Sequence, residues 1–388
     1  MVLSGGGSAT GGGGGNSSGA ARFHATVKYK RQSLNLRNLA DLNLLVSEVQ
    51  LKWPAFKIME FELTFANPST NTIDVVTPAS LQLHNNQTLN ITIKSRCLGF
   101  SDYAKKKSAA LDVAGVSFVD SSLILTDDSV FPLTAESAIE DAAKEVQIEL
   151  TKRARAIDLE EACEYTKREF ISPLLIAAVC VCNVSEKLIS MICEKSVVGK
   201  HGRGPIDCAL LFKRIFVLLT EAKNTDLEGG QAQNIVQQES CRESLANAFV
   251  PFNAVGETRK RKFDEVYDVV RTIPTFGIVT TGRQWRFTKV DHIHEKTKVT
   301  KSSTFDLLLD PTADPAQQAT QLQNIKAILR RIVGVLEHQM AQVNNHTQVK
   351  ELMESADPKE VEKMEEAFQA MAEAMDGDNE EEDGKEEE

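Results

Sequence analysis

A mixed architecture in two domains, of the α+β / α/β class, is what the sequence predicts, and three patterns predict it. Phe23, Ala25, Val27 and Tyr29 alternate with His24, Thr26 and Lys28, the two-residue period of a half-buried strand. Glu164 to Cys182 repeats instead at helical spacing, with Phe170, Leu174, Leu175 and Ala178 on one side. Cys208 to Phe212 and Ile215 to Leu219 are unbroken apolar runs of strand length.

Taken in order, the chain opens with a Gly/Ser-rich leader, residues 1–21, that cannot bury enough surface to offset its ordering entropy. Residues 22–96 read as a small domain: the strand at 23–29, a second through Leu34 and Leu36, a helix from Leu39 to Lys52, then strands at Glu60–Phe65, Thr72–Val76 and Leu89–Lys94. Residues 97–150 read as a linker ending in a helix that runs from Ala135 to Ile157, with short strands at Ser117–Val119 and Leu123–Leu125. A second domain spans 151–310. Its order is the helix at 164–182, strands at 208–212 and 215–219, a loop followed by a helix within Gly229–Gln238, and strands at 275–281 and 284–290. Residues 311–345 carry Leu322, Ile325, Ile328, Leu329, Ile332, Val335, Leu336 and Met340 at helical spacing. That stripe suits packing on its own domain or, alternatively, dimerisation. Residues 346–388 hold a further amphipathic helix, Pro358–Met375, and an acidic tail.

Chemistry concentrates where the two apolar runs end. Glu221 and Lys223 lie two apart on a strand, so they share a face while Ala222 turns inward. If the runs pair through Lys213-Arg214-Ile215, residues whose numbers sum to 428 face each other, and Asp207 stands across from Glu221. A two-residue turn spoils this register by one position, so a three-residue loop or a bulge near Asp207 is required. Two facing carboxylates suit a hard cation, Mg²⁺ first and Mn²⁺ second. Beside them Lys223 is placed to steady an attacking water or developing charge in phosphodiester hydrolysis. Gln233 and Gln237 follow one helical turn apart, and Glu169 lies near the polar start of the preceding helix.

Pro205-Ile206-Asp207, Glu221-Ala222-Lys223 and the glutamine-bearing helix resemble the PD-(D/E)XK, or restriction-endonuclease-like, nucleases over about residues 160–290. The resemblance implies an αβββαβ core in which Asp207 and Glu221 bind the metal and Lys223 supports catalysis. It also implies a helix glutamate, Glu169 with Glu164 in reserve, and a helix glutamine, Gln233 with Gln237 in reserve. Ile206 is an insertion relative to the family's Pro-Asp pair. More narrowly, Gly202-Arg203-Gly204-Pro205-Ile206-Asp207, Thr220-Glu221-Ala222-Lys223 and Ala232-Gln233-Asn234 are similar to the nuclease-like domains of Crinkler effector and toxin proteins. Such proteins carry a ubiquitin-like, β-grasp domain at the N-terminus and are often directed to a host nucleus. The 22–96 segment fits that domain, although its usual Leu-Phe-Leu-Ala-Lys run is missing. A ubiquitin-like domain implies a protein partner. DNA is the expected substrate and RNA the alternative, and a catalytically silent nucleic-acid or protein-binding module is the competing reading.

The 44 basic and 55 acidic residues leave a formal charge of -11. Asp376–Glu388 holds nine acids and one Lys, a net of -8, so the rest of the chain carries only -11 - (-8) = -3. Local basic groups therefore matter more than the total. Arg203, in the glycine-flanked stretch before Asp207, is a phosphate-contact candidate. Arg259-Lys260-Arg261-Lys262 reads as a nuclear-import signal or a phosphate-contacting loop. His292 and His294 read as surface residues. Seven scattered cysteines without ligand spacing suggest reduced thiols. No secretory leader pattern and no run of about 20 apolar residues is present, so a soluble protein of nucleus or cytoplasm is expected, with export lacking a signal peptide left open.

Overall fold

A computed structural model describes residues 23–29, 32–39, 41–52, 56, 61–67, 72–77, 88–95, 97–105, 124–183, 188–200, 202–251, 256–293, 296–359, 361–363 and 366. The leader, the strand expected at 117–119, the acidic tail and most of the 358–375 helix lie outside these residues. By its contacts the chain divides into two units, one of residues 1–97 and 253–260, the other of 98–252 and 261–388.

The first unit contains β1 (Phe23–Tyr29), β2 (Gln32–Leu39), α1 (Leu42–Lys52), β3 (Phe61–Asn67), β4 (Thr72–Val75) and β5 (Thr88–Ser95). They form one sheet in the order β2-β1-β5-β3-β4, with β1 parallel to β5 and the other pairs antiparallel. Alternation has the expected effect. Ala25 and Val27 of β1 are buried, as are Leu89, Ile91 and Ile93 of β5 and Leu45 and Val49 of α1.

The second unit begins with β6 (Leu98–Gly99), α2 (Phe100–Lys105), β7 (Leu125–Thr126), α3 (Glu136–Ala154) and α4 (Glu164–Cys182). It continues with β8 (Ile189–Val198), β9 (Gly202–Phe212), β10 (Ile215–Ala222), α5 (Leu227–Ala248) and α6 (Gly256–Val270), of which residues up to Lys260 count with the first unit. β11 (Thr275–Thr280), β12 (Gln284–Ile293), β13 (Lys296–Lys301), β14 (Phe305–Asp306), α7 (Pro315–Asn345) and α8 (Thr347–Ser355) complete it. Among the described residues nine strands make a mixed sheet, with the path β6-β9-β10-β11-β12-β13-β7, β8 on β9 and β14 on β12. β10 and β11 are parallel and joined through α5 and α6, while β8, β9 and β10 are antiparallel neighbours.

Helices α3, α4 and α7 cover one face of the sheet, and α5 with α2 covers the other. β9 shows how the sequence feeds both cores: Cys208, Leu210 and Phe212 join the first, Ala209 and Leu211 the second. The 97–150 segment is therefore not a linker. Leu98 and Gly99 pair with β9, and Phe100 and Tyr103 of α2 belong to the α5-side core. The apolar stripe of α7 packs inward too, with Ile325, Ile328, Leu329, Ile332, Val335 and Leu336 buried within the unit. Of the two readings of that helix, packing on its own domain is the one realised. Among the described residues no helix is long and apolar enough to cross a membrane.

The β9–β10 hairpin corrects the expected turn while keeping the expected register. Lys213 and Arg214 form a two-residue turn, both with left-handed φ (50° and 70°), as a tight hairpin turn requires. Ile215 faces Phe212 and Phe216 faces Leu211, but beyond a shift Leu218 faces Leu210 and Thr220 faces Cys208. The bulge puts Val217 and Leu218 in the same core, one residue too many on that face. It sits near the turn rather than near Asp207, and it restores the pairing that brings Asp207 opposite Glu221.

Candidate active site

Beyond Cys208 the two strands part, and this divergence builds the site. The Ala222 N–H donates to Asp207 Oδ2 at 2.6 Å, a side chain standing where a ladder carbonyl would otherwise be. The Lys223 N–H continues to the other neighbour, donating to the Thr280 carbonyl at 2.8 Å. Asp207 is thus held at the end of β10 by main chain, and Glu221 projects beside it. Both are buried, at 8 % and 2 % exposure.

A third carboxylate comes from the first turn of α4. One oxygen each of Glu164, Asp207 and Glu221 lie within 4.8 Å of one another, a set able to hold a cation. The Lys223 ammonium bridges two of them, 2.6 Å from Glu221 Oε1 and 3.1 Å from Glu164 Oε1. Its stem lies along the start of α5, where a Cβ on Gly230 would come within 2.7 Å of Lys223 Cγ. Gly230 is therefore a close-approach glycine. Gln237 Nε2 donates to the remaining Glu221 oxygen at 2.6 Å.

Electrostatics follow from this crowding. Burial and then the neighbouring Asp207 push the Glu221 carboxyl up to about 8, against the pull of Lys223 and Gln237. Asp207 is also raised, chiefly by burial, although the Ala222 N–H and Arg168 oppose the shift. Burial works to lower Lys223, but Glu221 and Glu164 outweigh it and the ammonium is held above its ordinary value. Like-charged carboxylates forced together, with a cation alongside, are the usual condition of a metal-binding or acid–base site.

Helical phase decides which expected residues arrive. On α4 the inward stripe runs through Glu164, Lys167, Arg168 and Ile171, whereas Glu169 points the other way. Pro173 cannot donate to the Glu169 carbonyl, and Arg153 of α3 supplies that bond and also meets the Glu169 carboxylate at 2.5 Å. Glu169 is thus a structural partner of α3, and Glu164 takes the place expected of it. On α5, Gly230, Asn234 and Gln237 line the stripe against the sheet, with Asn234 donating to the Leu219 carbonyl at 3.3 Å. Gln233 lies roughly 70° around the helix from that stripe. It is buried, yet Gln237 and not Gln233 bonds Glu221, and Gln233 Oε1 has no hydrogen-bond partner among the described residues.

Arg168 is the side chain at this cluster that sequence reading missed. One turn after Glu164, its guanidinium donates to Asp207 Oδ1 at 2.5 Å and to Glu194 of β8. The signal was present as the i, i+4 relation to Glu164, but only tertiary contact reveals its acceptor. Glu194 has a left-handed backbone, φ 53°, at the position on β8 that faces Asp207, where the ladder between Cys193–Cys208 and Lys195–Ile206 is interrupted. The facing thiols of Cys193 and Cys208 lie 3.2 Å apart.

The basic candidates are dispersed. Gly202-Arg203-Gly204 is part of β9 and pairs with β6 and β8, so the stretch is strand and not loop. Arg259, Lys260, Arg261 and Lys262 lie in α6 and point to different sides of it. Arg259 is buried, which lowers its guanidinium to about 10, while Lys260 and Arg261 are exposed and Arg261 pairs with Glu265 at 3.8 Å. The run is thus not one continuous exposed patch. His292 is not a surface residue either: Nε2 lies 3.2 Å from Glu239 and Nδ1 lies 2.9 Å from Thr297 Oγ1. His294 lies outside the described residues.

Compared with known proteins, the chain matches no protein-family model and no curated protein sequence.

Proposed function

We propose that this chain is a divalent-metal-dependent nuclease acting on phosphodiester bonds, with DNA the favoured substrate. The observation that carries the reading is the convergence of Glu164, Asp207 and Glu221 with Lys223 at the diverging ends of β9 and β10. The order α4, β8, β9, β10, α5, β11 agrees with a restriction-endonuclease-like core, and the first unit's sheet order, with its helix after the first hairpin, agrees with a β-grasp domain. Those agreements support a Crinkler-type arrangement, and the resemblance, rather than the fold, is what implies a protein partner for the β-grasp domain and work in the nucleus.

An all-oxygen donor set of three carboxylates fits Mg²⁺ or Mn²⁺. When bound, such a cation supplies charge neutralisation at the phosphoryl oxygen and acidifies a water. Glu164, Asp207 and Glu221 would hold it. Gln237 orients Glu221 by fixing one of its oxygens. Lys223, an ammonium between Glu221 and Glu164, positions the attacking water and stabilises negative charge as it develops on the phosphoryl group.

One observation favours the competing reading of a silent binding module: Arg168 and Lys223 already ion-pair with all three carboxylates without a metal, leaving one charge of the three uncompensated. Incubating the full chain with plasmid DNA and with RNA, in Mg²⁺, Mn²⁺ or chelator, separates the two. A nuclease cleaves only with metal, and Asp207→Ala, Glu221→Ala and Lys223→Ala each lower the rate by about a hundredfold or more while the fold is retained. Wild-type rates in all three variants, or no metal-dependent cleavage of either substrate, would leave the binding module as the better account.

A further inference from the structure

We propose that Arg168 is a phosphate-binding residue held in reserve on Asp207, released toward Glu194 and substrate when a divalent cation occupies the carboxylates. The inference rests on the metal-site reading above and assigns a residue to it.

Four features of Arg168 support this. Its guanidinium is shared between two carboxylates of different character, Asp207 in the buried cluster and Glu194 at the rim, whose side chain is 51 % exposed. It therefore has a second anchor when the first is taken. Its own side chain is 25 % exposed, so it can meet a ligand without unfolding its surroundings. Its Nε–H is buried and has no acceptor among the described residues, although buried donors are normally satisfied. Lastly, the exposed ring of Tyr165 lies 5.8 Å from the guanidinium carbon, one turn earlier on α4. Arginine beside an accessible aromatic ring suits a polyanion whose bases stack.

Charge gives the direction of the exchange. Asp207 Oδ2 accepts from the Ala222 N–H and Oδ1 from Arg168, so a cation at Asp207 shares the carboxylate with the guanidinium. Two cations crowded at one carboxylate repel, and Arg168 is the one with another carboxylate in reach. Turned toward Glu194, its planar fork keeps N–H groups free for a phosphate oxygen, a match that an ammonium reproduces poorly. The left-handed Glu194 is then the strained residue that sets the second anchor.

The test measures binding, using Ca²⁺ to load the site with little turnover and a short fluorescein-labelled single-stranded oligodeoxynucleotide as probe. Mn²⁺ calorimetry on the full-length wild type comes first. Arg168→Gln should bind Mn²⁺ several-fold more tightly, because a competing cation is gone, and Glu194→Gln should bind it more weakly, because Arg168 has lost its alternative acceptor. In Ca²⁺, Arg168→Gln should lose about tenfold in oligonucleotide affinity, and its slope of log K against log salt should fall by about one. In chelator both quantities should match wild type. Arg168→Lys should keep the wild-type Mn²⁺ affinity but recover only part of the Ca²⁺-dependent oligonucleotide binding, and serves also if the glutamine variant does not fold. Equal salt slopes for wild type and Arg168→Gln with Ca²⁺ bound would overturn the proposal and leave a structural ion pair. No Mn²⁺ binding by the wild type would overturn the metal-site reading and this one together, whereas Mn²⁺ binding that Arg168→Gln fails to tighten would overturn this one alone.

Discussion

Two glutamates of the second unit are equally buried and oppositely disposed. Glu221 on β10 and Glu239 on α5 are each 2 % exposed. Burial raises both, yet Glu221 ends at about 8 and Glu239 at about 2. The difference lies in the company each keeps. Glu239 accepts from Arg242 at 3.0 Å and from the Tyr267 hydroxyl, and lies 3.2 Å from His292 Nε2, so the groups that set its charge favour the ionised form. Glu221 has Lys223 and Gln237, but Asp207 stands opposite. The first arrangement is a satisfied structural carboxylate; the second stores repulsion that a bound cation would relieve. Burial alone does not separate the two glutamates, and a like charge alongside one of them does.

Removing each carboxylate's charge separates the two glutamates most directly. Glu239→Gln should destabilise the fold by about 3 kcal/mol, because Arg242 is left buried with only the Ile273 and Val290 carbonyls. Glu221→Gln, measured in chelator, should cost far less, since it also removes the repulsion with Asp207. Denaturant melts of the two variants decide the matter, and equal losses would mean the two glutamates play the same part.

Dependence on pH sharpens the contrast, because the two groups pull in opposite directions. Glu239 is depressed, so its stabilisation is complete above the ordinary carboxylate range and is lost as pH falls from about 4.5 toward 2. Glu221 is raised, so the contribution it makes when protonated is complete below about 4.5 and is lost as pH rises through about 8. Melting in chelator across pH 5 to 9 should therefore show a decline that Glu221→Gln flattens and Glu239→Gln leaves in place. Saturating Mn²⁺ should abolish the decline in the wild type, since a bound cation favours the ionised form.

Smaller effects separate neighbours on one helix. Gln237→Ala should lower the cleavage rate by about tenfold, as expected when a ligand loses the group orienting it. Gln233→Ala, one turn earlier, should stay within about twofold of wild type, a bound set by its lack of contact with Glu221. Smallest of all, Glu169→Ala should leave cleavage unchanged and cost under about 1 kcal/mol, because its ion pair with Arg153 is half exposed. Glu164→Ala should instead weaken Mn²⁺ binding.

Much of this was legible in the chain itself. Two-residue alternation located β1, and helical spacing located α4 to the residue and α7 to within about four residues, because periodicity is local and survives without the fold. Asp207, Glu221 and Lys223 were legible for the same reason: a strand's alternation and a hairpin's register are short-range arithmetic. The choices of Glu164 over Glu169 and Gln237 over Gln233 were not, since a residue's place around a helix matters only relative to the surface it meets. Arg168 and Glu194 were hidden by sequence distance, being joined to Asp207 from a helix and from an interrupted strand. Nor could the Glu239 network be read, for its members span positions 239 to 292 and each looks like an ordinary surface polar residue. What the sequence determined by itself was the order of elements and the acids and lysine at the strand ends. Tertiary packing alone decided which helix residues reach them, because burial and charge pairing are properties of neighbours in space.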